Sequence, residues 1–278
     1  MFKEFLKKLI ANKMAFTGTL IVIFVLIVGI CAPLLITHDP MHQSLRNIGE
    51  SPNAEYLFGT DNLGRDIYSR VIAGARTSLL IGVFVTALST FFGTLIGTIC
   101  GYFGGKIDAL IMKVMDVVMA FPSILLALVF VTIFGRGLDS AMTGVGISIV
   151  PRFARLVRGS VLSIKEKEYI EAERAVGQRD LIIMFRHVLP NCIGPIIVQA
   201  TLAVGNAIIT VAGLGFLGLG AEPGVAEWGA MLSDARNFLG SMPQIATYPG
   251  LAIAITVLGF NLMGDGFRDI LDVRQDDM

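Results

Sequence analysis

Five stretches of this chain carry no charged side chain: residues 14–36, 77–105, 117–135, 187–221 and 237–264. About 20 apolar residues cross the ~30 Å hydrocarbon core of a bilayer, so each stretch predicts a membrane-spanning helix. A sixth, 140–162, is uncharged only as far as Pro151 and then carries Arg152, Arg155 and Arg158. Arginines near a helix end reach the headgroups, so this stretch also predicts a span, kinked at its proline. The fold class that follows is an all-α membrane protein with about six transmembrane helices. A soluble core has no room for so many long apolar runs.

The finer pattern adds detail. Residues 2–13 put Phe2, Phe5, Leu6, Leu9 and Ile10 on one helical face, opposite Lys3, Lys7 and Lys8, as in an interfacial helix. Gly93 and Gly97 make a small-residue face for close helix packing. The third span opens with Asp108, Lys113 and Asp116, with Lys113 in reach of Asp116, and Met112, Met115 and Met119 line one side as packing. The run at 187–221 exceeds one crossing and ends in GLGFLGLG (213–220), whose glycines weaken a regular helix. Asn206 and Thr210 lie one turn apart there and either line a pathway or bond across helices. Trp228 reads as an interfacial anchor, and the last span runs from about 248 to 262 before GDGFRD (264–269) closes it.

Composition agrees with the pattern. The 278 residues are 54% hydrophobic and 16% charged, against about 25% charged in an ordinary soluble domain. With the N-terminus inside, six spans leave the C-terminus and 152–186 inside as well. Sixteen of the 22 lysines and arginines are then internal, and only Arg46, Arg65, Arg70, Arg76, Arg136 and Arg236 are external. That asymmetry predicts an N-in/C-in topology. The chain divides into an interfacial helix and first span (1–36), an extracytoplasmic loop (37–76), a five-span core (77–270) holding a cytoplasmic segment (163–190), and a cytoplasmic tail (271–278). The first apolar run is too long for a signal peptide, and Ile30 before Cys31 is wrong for lipoprotein cleavage. Cys31, Cys100 and Cys192 read as small core residues.

Much chemistry is excluded. There is no G-x-x-x-x-G-K-[ST] phosphate loop, no H-E-x-x-H and no G-x-S-x-G. His38, His42 and His187 do not cluster, and the spans lack the carboxylate chains of a proton-coupled carrier. No catalytic residue, metal site or nucleic-acid surface is expected, so uphill transport by this chain requires a partner to supply energy. A self-sufficient channel or secondary carrier is the alternative of a different class. In the outer loop, FGTDNLGRDIYSR (58–70) predicts an ion-pair and turn network of Asp61, Arg65 and Asp66, with Gly59 and Gly64 permitting tight backbone.

The inner segment SIKEKEYIEAERAVGQRDLIIMFR (163–186) has another character. Ser163 and Glu166 have capping-box spacing, Tyr169, Ala172, Ala175 and Val176 form an apolar stripe, and Gly177 is placed to stop the helix. The segment resembles the EAA loop of permease subunits in ABC importers, E-A-A-x3-G-x9-I-x-L-P. Glu171, Ala172, Gly177, Leu189 and Pro190 match it, while Glu173 stands at the second Ala and His187 at the Ile.

The likeness extends along the chain. GTDNLGRD (59–66) with SR (69–70), GG (104–105) with Asp108, AFP (120–122), FLGLG (216–220), WG (228–229) and NLMGDG (261–266) resemble the C-type permease of dipeptide, oligopeptide and nickel importers. PNC and PIIVQA (190–200) look closest to dipeptide permeases, whereas Val211 stands where many relatives carry Glu. The resemblance implies the type I ABC importer (MetI-like) permease fold in the bacterial inner membrane, half of a pathway for di- or oligopeptides, and coupling to ATPases through 163–190. Glutathione, or nickel and metal chelates, are the alternative cargoes. The partners implied are a homologous B-type permease, two ATPase subunits carrying ATP and magnesium, and an extracytoplasmic binding protein, with no cofactor in this chain.

Overall fold

The structure is a computed structural model describing residues 2–222 and 224–276, with side chains described for 6–222 and 224–271. Phe2, Lys3, Phe5 and Arg274 therefore lie outside the described side chains, and 277–278 of the expected tail lie outside the described residues. Twelve α-helices follow one another: α1 (Phe2–Ala11), α2 (Lys13–Ile30), α3 (Ala32–Leu35), α4 (Ile67–Phe103), α5 (Gly105–Ala120), α6 (Ser123–Phe134), α7 (Leu138–Lys165), α8 (Glu168–Ala175), α9 (Asp180–Ile182), α10 (Ile193–Phe216), α11 (Trp228–Ala235) and α12 (Gln244–Asp276). Between α9 and α10 the helix loosens into a π turn (Ile183–Val188) and tightens into a 3-10 turn (Leu189–Cys192).

By length and composition four helical runs can cross a membrane: Lys13–Ile30, Ile67–Phe103, Asp180–Phe216 and Gln244–Leu271. The pair α5 and α6 makes a fifth, bent by 93°. The straight third span expected from 117–135 is thus broken at Phe121-Pro122. Pro122 has no N–H to continue the ladder and holds the preceding Phe121 extended, at φ −92° and ψ 135°. At 28 residues, ~42 Å, α7 has the length for a sixth. Pro151 lies inside it, and the helix runs on through the position where a kink was expected.

Glycine sets the closest contacts. A side chain on Gly97 would meet Val157 Cβ at 2.9 Å and Arg158 N at 3.0 Å, and one on Gly93 would meet the Val150 carbonyl at 2.8 Å. The expected small-residue face is therefore the seam between α4 and α7, where Ser89 Oγ also donates to the Gly146 carbonyl at 2.9 Å. The last helix, expected to end near 262, continues through Gly264 and Gly266, because those glycines let α12 lie against Leu202 and Ala15. Leu9, Ala15 and Ile270 bury one another where α1 meets the inner end of α12.

Candidate functional site

The inner end of the bundle holds the first assembly. Lys165 ends α7 by donating from Nζ to the Gly101 carbonyl at 2.9 Å, which ties it to the end of α4. Ser163 is still inside α7, so the expected capping box does not form, and α8 starts after Lys167 with no side-chain cap. Glu168 and Glu171 in its first turn and Arg174 in its last suit the helix dipole. Gly177 ends α8 as expected, at φ +80°, with its N–H on the Arg174 carbonyl and that of Gln178 on the Glu173 carbonyl. Those two bonds are a Schellman stop.

Eight residues are too few for a stable isolated helix, so tertiary contacts must hold α8. Its inward anchor is Ile170, fully buried with Tyr102, Val157, Val161, Ile183 and Met184. Glu173 and Arg174, three and four residues on, share that inward face. The Arg174 guanidinium lies 5.4 Å from the Tyr102 ring centroid, and the Tyr102 hydroxyl donates to Asp180 at 2.6 Å. On the other side His187 Nε2 stands 3.7 Å from Glu173 Oε1. Sequence reading missed Ile170, Tyr102 and Asp180; the apolar residue beside a polar stripe was the available signal for the first.

The outward face of α8 is the expected stripe. Tyr169, Ala172, Ala175 and Val176 are all exposed, Val176 by 80%, as are Glu171 and Gly177. Leu181 and Phe185 extend this apolar surface toward the π turn. Leu189 is half-buried and Pro190 exposed. Their role is geometric: Pro190 cannot donate to the Arg186 carbonyl and its ring crowds it. The wider π turn precedes that point, with the Leu189 N–H reaching back to Met184, and Asn191 Nδ2 donates to the His187 carbonyl at 2.6 Å.

A second assembly closes the outer end. Asp61 accepts from the N–H groups of Leu63 and Arg65 and from Arg65 Nε at 2.6 Å. Arg65 also donates to Asp234 at 2.8 Å, and Arg70 donates to the carbonyls of Pro40, Gly224 and Val225. Asp66 caps α4, accepting from Ser69 N and Oγ. Gly59 and Gly64 take φ +75° and +70°. The expected Asp61–Arg65 pair is present and extended by Arg70 and Asp234, while Asp66 stands apart from it as the cap of α4. All of Asp61, Arg65, Asp66 and Arg70 are buried, so the motif is an internal lock. Glu227 caps α11 and accepts from Ser78 Oγ, while Trp228 is buried and donates from Nε1 to the Val71 carbonyl at 3.0 Å. Trp228 is therefore a core residue, and the expected interfacial anchor is corrected.

Asn206 and Thr210 lie on an exposed strip of α10 with Ile209. Each bonds a carbonyl of its own helix, Asn206 to Leu202 and Thr210 to Asn206. The interhelical alternative is not what the structure contains. Expected to weaken the helix, Gly213 and Gly215 lie within α10, and a Schellman stop at Gly218 (φ +76°) ends it. Gly215 is needed where α10 touches α11, since a side chain there would meet the Gly229 backbone at 2.9 Å. Asp116 pairs with Arg155 of α7 at 2.5 Å in place of Lys113, and Asp108 binds Arg158 through two bonds of 2.6 Å. No group of metal-ligating side chains occurs among the described residues.

Comparison with known proteins gives concordant matches. The family described as binding-protein-dependent transport system inner membrane component matches residues 93–277. The N-terminal TM domain of oligopeptide transport permease C matches residues 1–54. A dipeptide transport system permease protein of Alkalihalophilus pseudofirmus is 47% identical over 272 residues, covering 98% of this chain and 90% of that one. A glutathione transport system permease protein of Escherichia coli is 44% identical over 272 residues, with the same coverage of 98% and 90%. Among solved structures, the inward-facing MetNI methionine ABC transporter matches with a TM-score of 0.54 at 20% identity, over 71% of this chain and 94% of that one.

Proposed function

Because the chain belongs to the family of binding-protein-dependent transport system inner membrane components, we propose that it forms half of a pathway for di- or oligopeptides and is driven through the segment 163–190. It is a multi-pass inner-membrane permease subunit of an ABC importer with the type I permease fold. The observation that carries the coupling role is the two-faced α8. One face is anchored through Ile170, and the other offers apolar and acidic side chains that stay exposed among the described residues. An ATPase subunit is the occupant this reading gives that face, and ATP and magnesium would be bound there and not by this chain. The full partner set is a homologous B-type permease, two ATPases and an extracytoplasmic binding protein. Residues 37–76 and 222–247 are its docking surface, with the buried arginine lock setting their shape. The exposed strip of Asn206 and Thr210 faces the pathway or the second permease.

The experiment is peptide uptake by cells in which this subunit is replaced. Gly177→Val forces a branched residue to φ +80°, and its expected effect is loss of uptake with normal membrane insertion. Normal uptake would remove the coupling role. The same cells decide the cargo, since the 44% identity to a glutathione permease favours glutathione as the second reading. Competition by unlabelled dipeptides, with none by glutathione, is the expected outcome.

A further inference from the structure

We propose that Glu173 and His187 form a clasp that fixes the attitude of α8 against the root of α10, making both positioning residues. Their side chains stand 3.7 Å apart and are 30% and 26% exposed. Glu173 lies on the inward face of α8, one turn after the buried anchor Ile170. His187 belongs to the π turn, where the helix widens ahead of Pro190. Ile170 also holds the arm, as do Arg174 over Tyr102 and Tyr102 on Asp180 on the opposite side, and Asn191 Nδ2 donates to the Tyr169 hydroxyl at 3.3 Å near the root of α10. A single buried side chain fixes a point and leaves rotation about it. Contacts on both sides of Ile170 remove that rotation, so each clasp needs the other.

A second observation points the same way. Glu173 and His187 are the two positions at which the segment departs from E-A-A-x3-G-x9-I-x-L-P, and the fold brings them together. An acid and an imidazole thus meet at one contact where the pattern has a small residue and a large apolar one.

The functional consequence rests on the coupling role proposed for 163–190, whereas the clasp itself does not. The test uses the complete transporter in sealed proteoliposomes, with Glu173→Ala, His187→Ile, the double change, and the exchanged pair Glu173→His with His187→Glu. Amide exchange of residues 170–177 reads the attitude of α8, and the ratio of peptide imported to ATP hydrolysed reads its use. Each single change is expected to lower α8 protection by about two- to fivefold, the range of a partly exposed ion pair. The double change is expected to lose no more than either single change, and the exchanged pair to restore most of the protection. Losses in the double change equal to the product of the singles, with no recovery in the exchanged pair, would overturn the clasp. If protection follows the expected pattern while the transport ratio never moves, the clasp stands and the coupling role falls.

Discussion

Arg65 and Arg70 are each 1% exposed, and their partners Asp61 and Asp234 balance them charge for charge. Truncating one arginine leaves carboxylates buried without compensation, which is far more destabilising than an apolar substitute for the whole network. Arg65→Met is therefore expected to lower stability by roughly 2–4 kcal/mol, somewhat under the range for fully buried pairs. The discount reflects Asp234, whose side chain keeps 25% of its surface in water. Thermal unfolding of the solubilised chain checks this, and an unchanged Tm would rule it out. The local half of the network was legible in the sequence, because Asp61 and Arg65 lie within one turn motif. Arg70 and Asp234 were not, since only the fold brings them together. Trp228 misled for a related reason. A tryptophan near a span end suits the interface, and nothing local reveals that Val71 and Ser78 await its two N–H groups.

At the level of elements, glycine and proline were the readable marks. Gly177 stops α8 where the sequence placed a stop, and Gly93 and Gly97 form the seam they suggested. The opposite outcome holds at 264–269, where glycines that resemble a loop lie inside α12. Both readings obey the same rule, that glycine permits either a turn or a close approach, and only the neighbouring helix decides between them. The pair α5 and α6 was misread because Phe121-Pro122 sits in the middle of an apolar run. Its consequence is that α5 stands clear of the core with Asp108 as its one buried side chain among those described. The bidentate pair of Asp108 with Arg158 is then its principal tether. Asp108→Ala is expected to raise amide exchange across α5 roughly tenfold, equivalent to about 1–2 kcal/mol after discounting for the partial exposure of Arg158. Exchange in α4 and α7 should stay as it was, and equal changes in all three would show general unfolding.

For the whole molecule, the apolar spans were legible because apolar length alone demands them: four helices and a bent fifth pair have it among the described residues, while the expected sixth rests on the length of α7. Their arrangement was not, because lipid-facing and protein-facing residues are equally apolar, as Phe24 and Phe91 show at 63% exposure each. The outer lock adds a constraint of another kind, on time. Arg65 and Asp234 are 169 residues apart in the chain. At 5–20 residues per second, roughly 8–34 s separate their synthesis. Through that interval Arg65 has Asp61 beside it, while the carbonyls of Gly224 and Val225 that hold Arg70 do not yet exist. The loop at 37–66 is therefore closed from the far end of the chain, late in assembly. Nascent chains stopped at residue 220 should be cut in this loop by external protease, and chains extended past 276 should resist; equal cleavage of both would refute the late closure. The lock between Arg65 and Asp234 thus doubles as a timer, because it can close only after the chain has been made as far as residue 234.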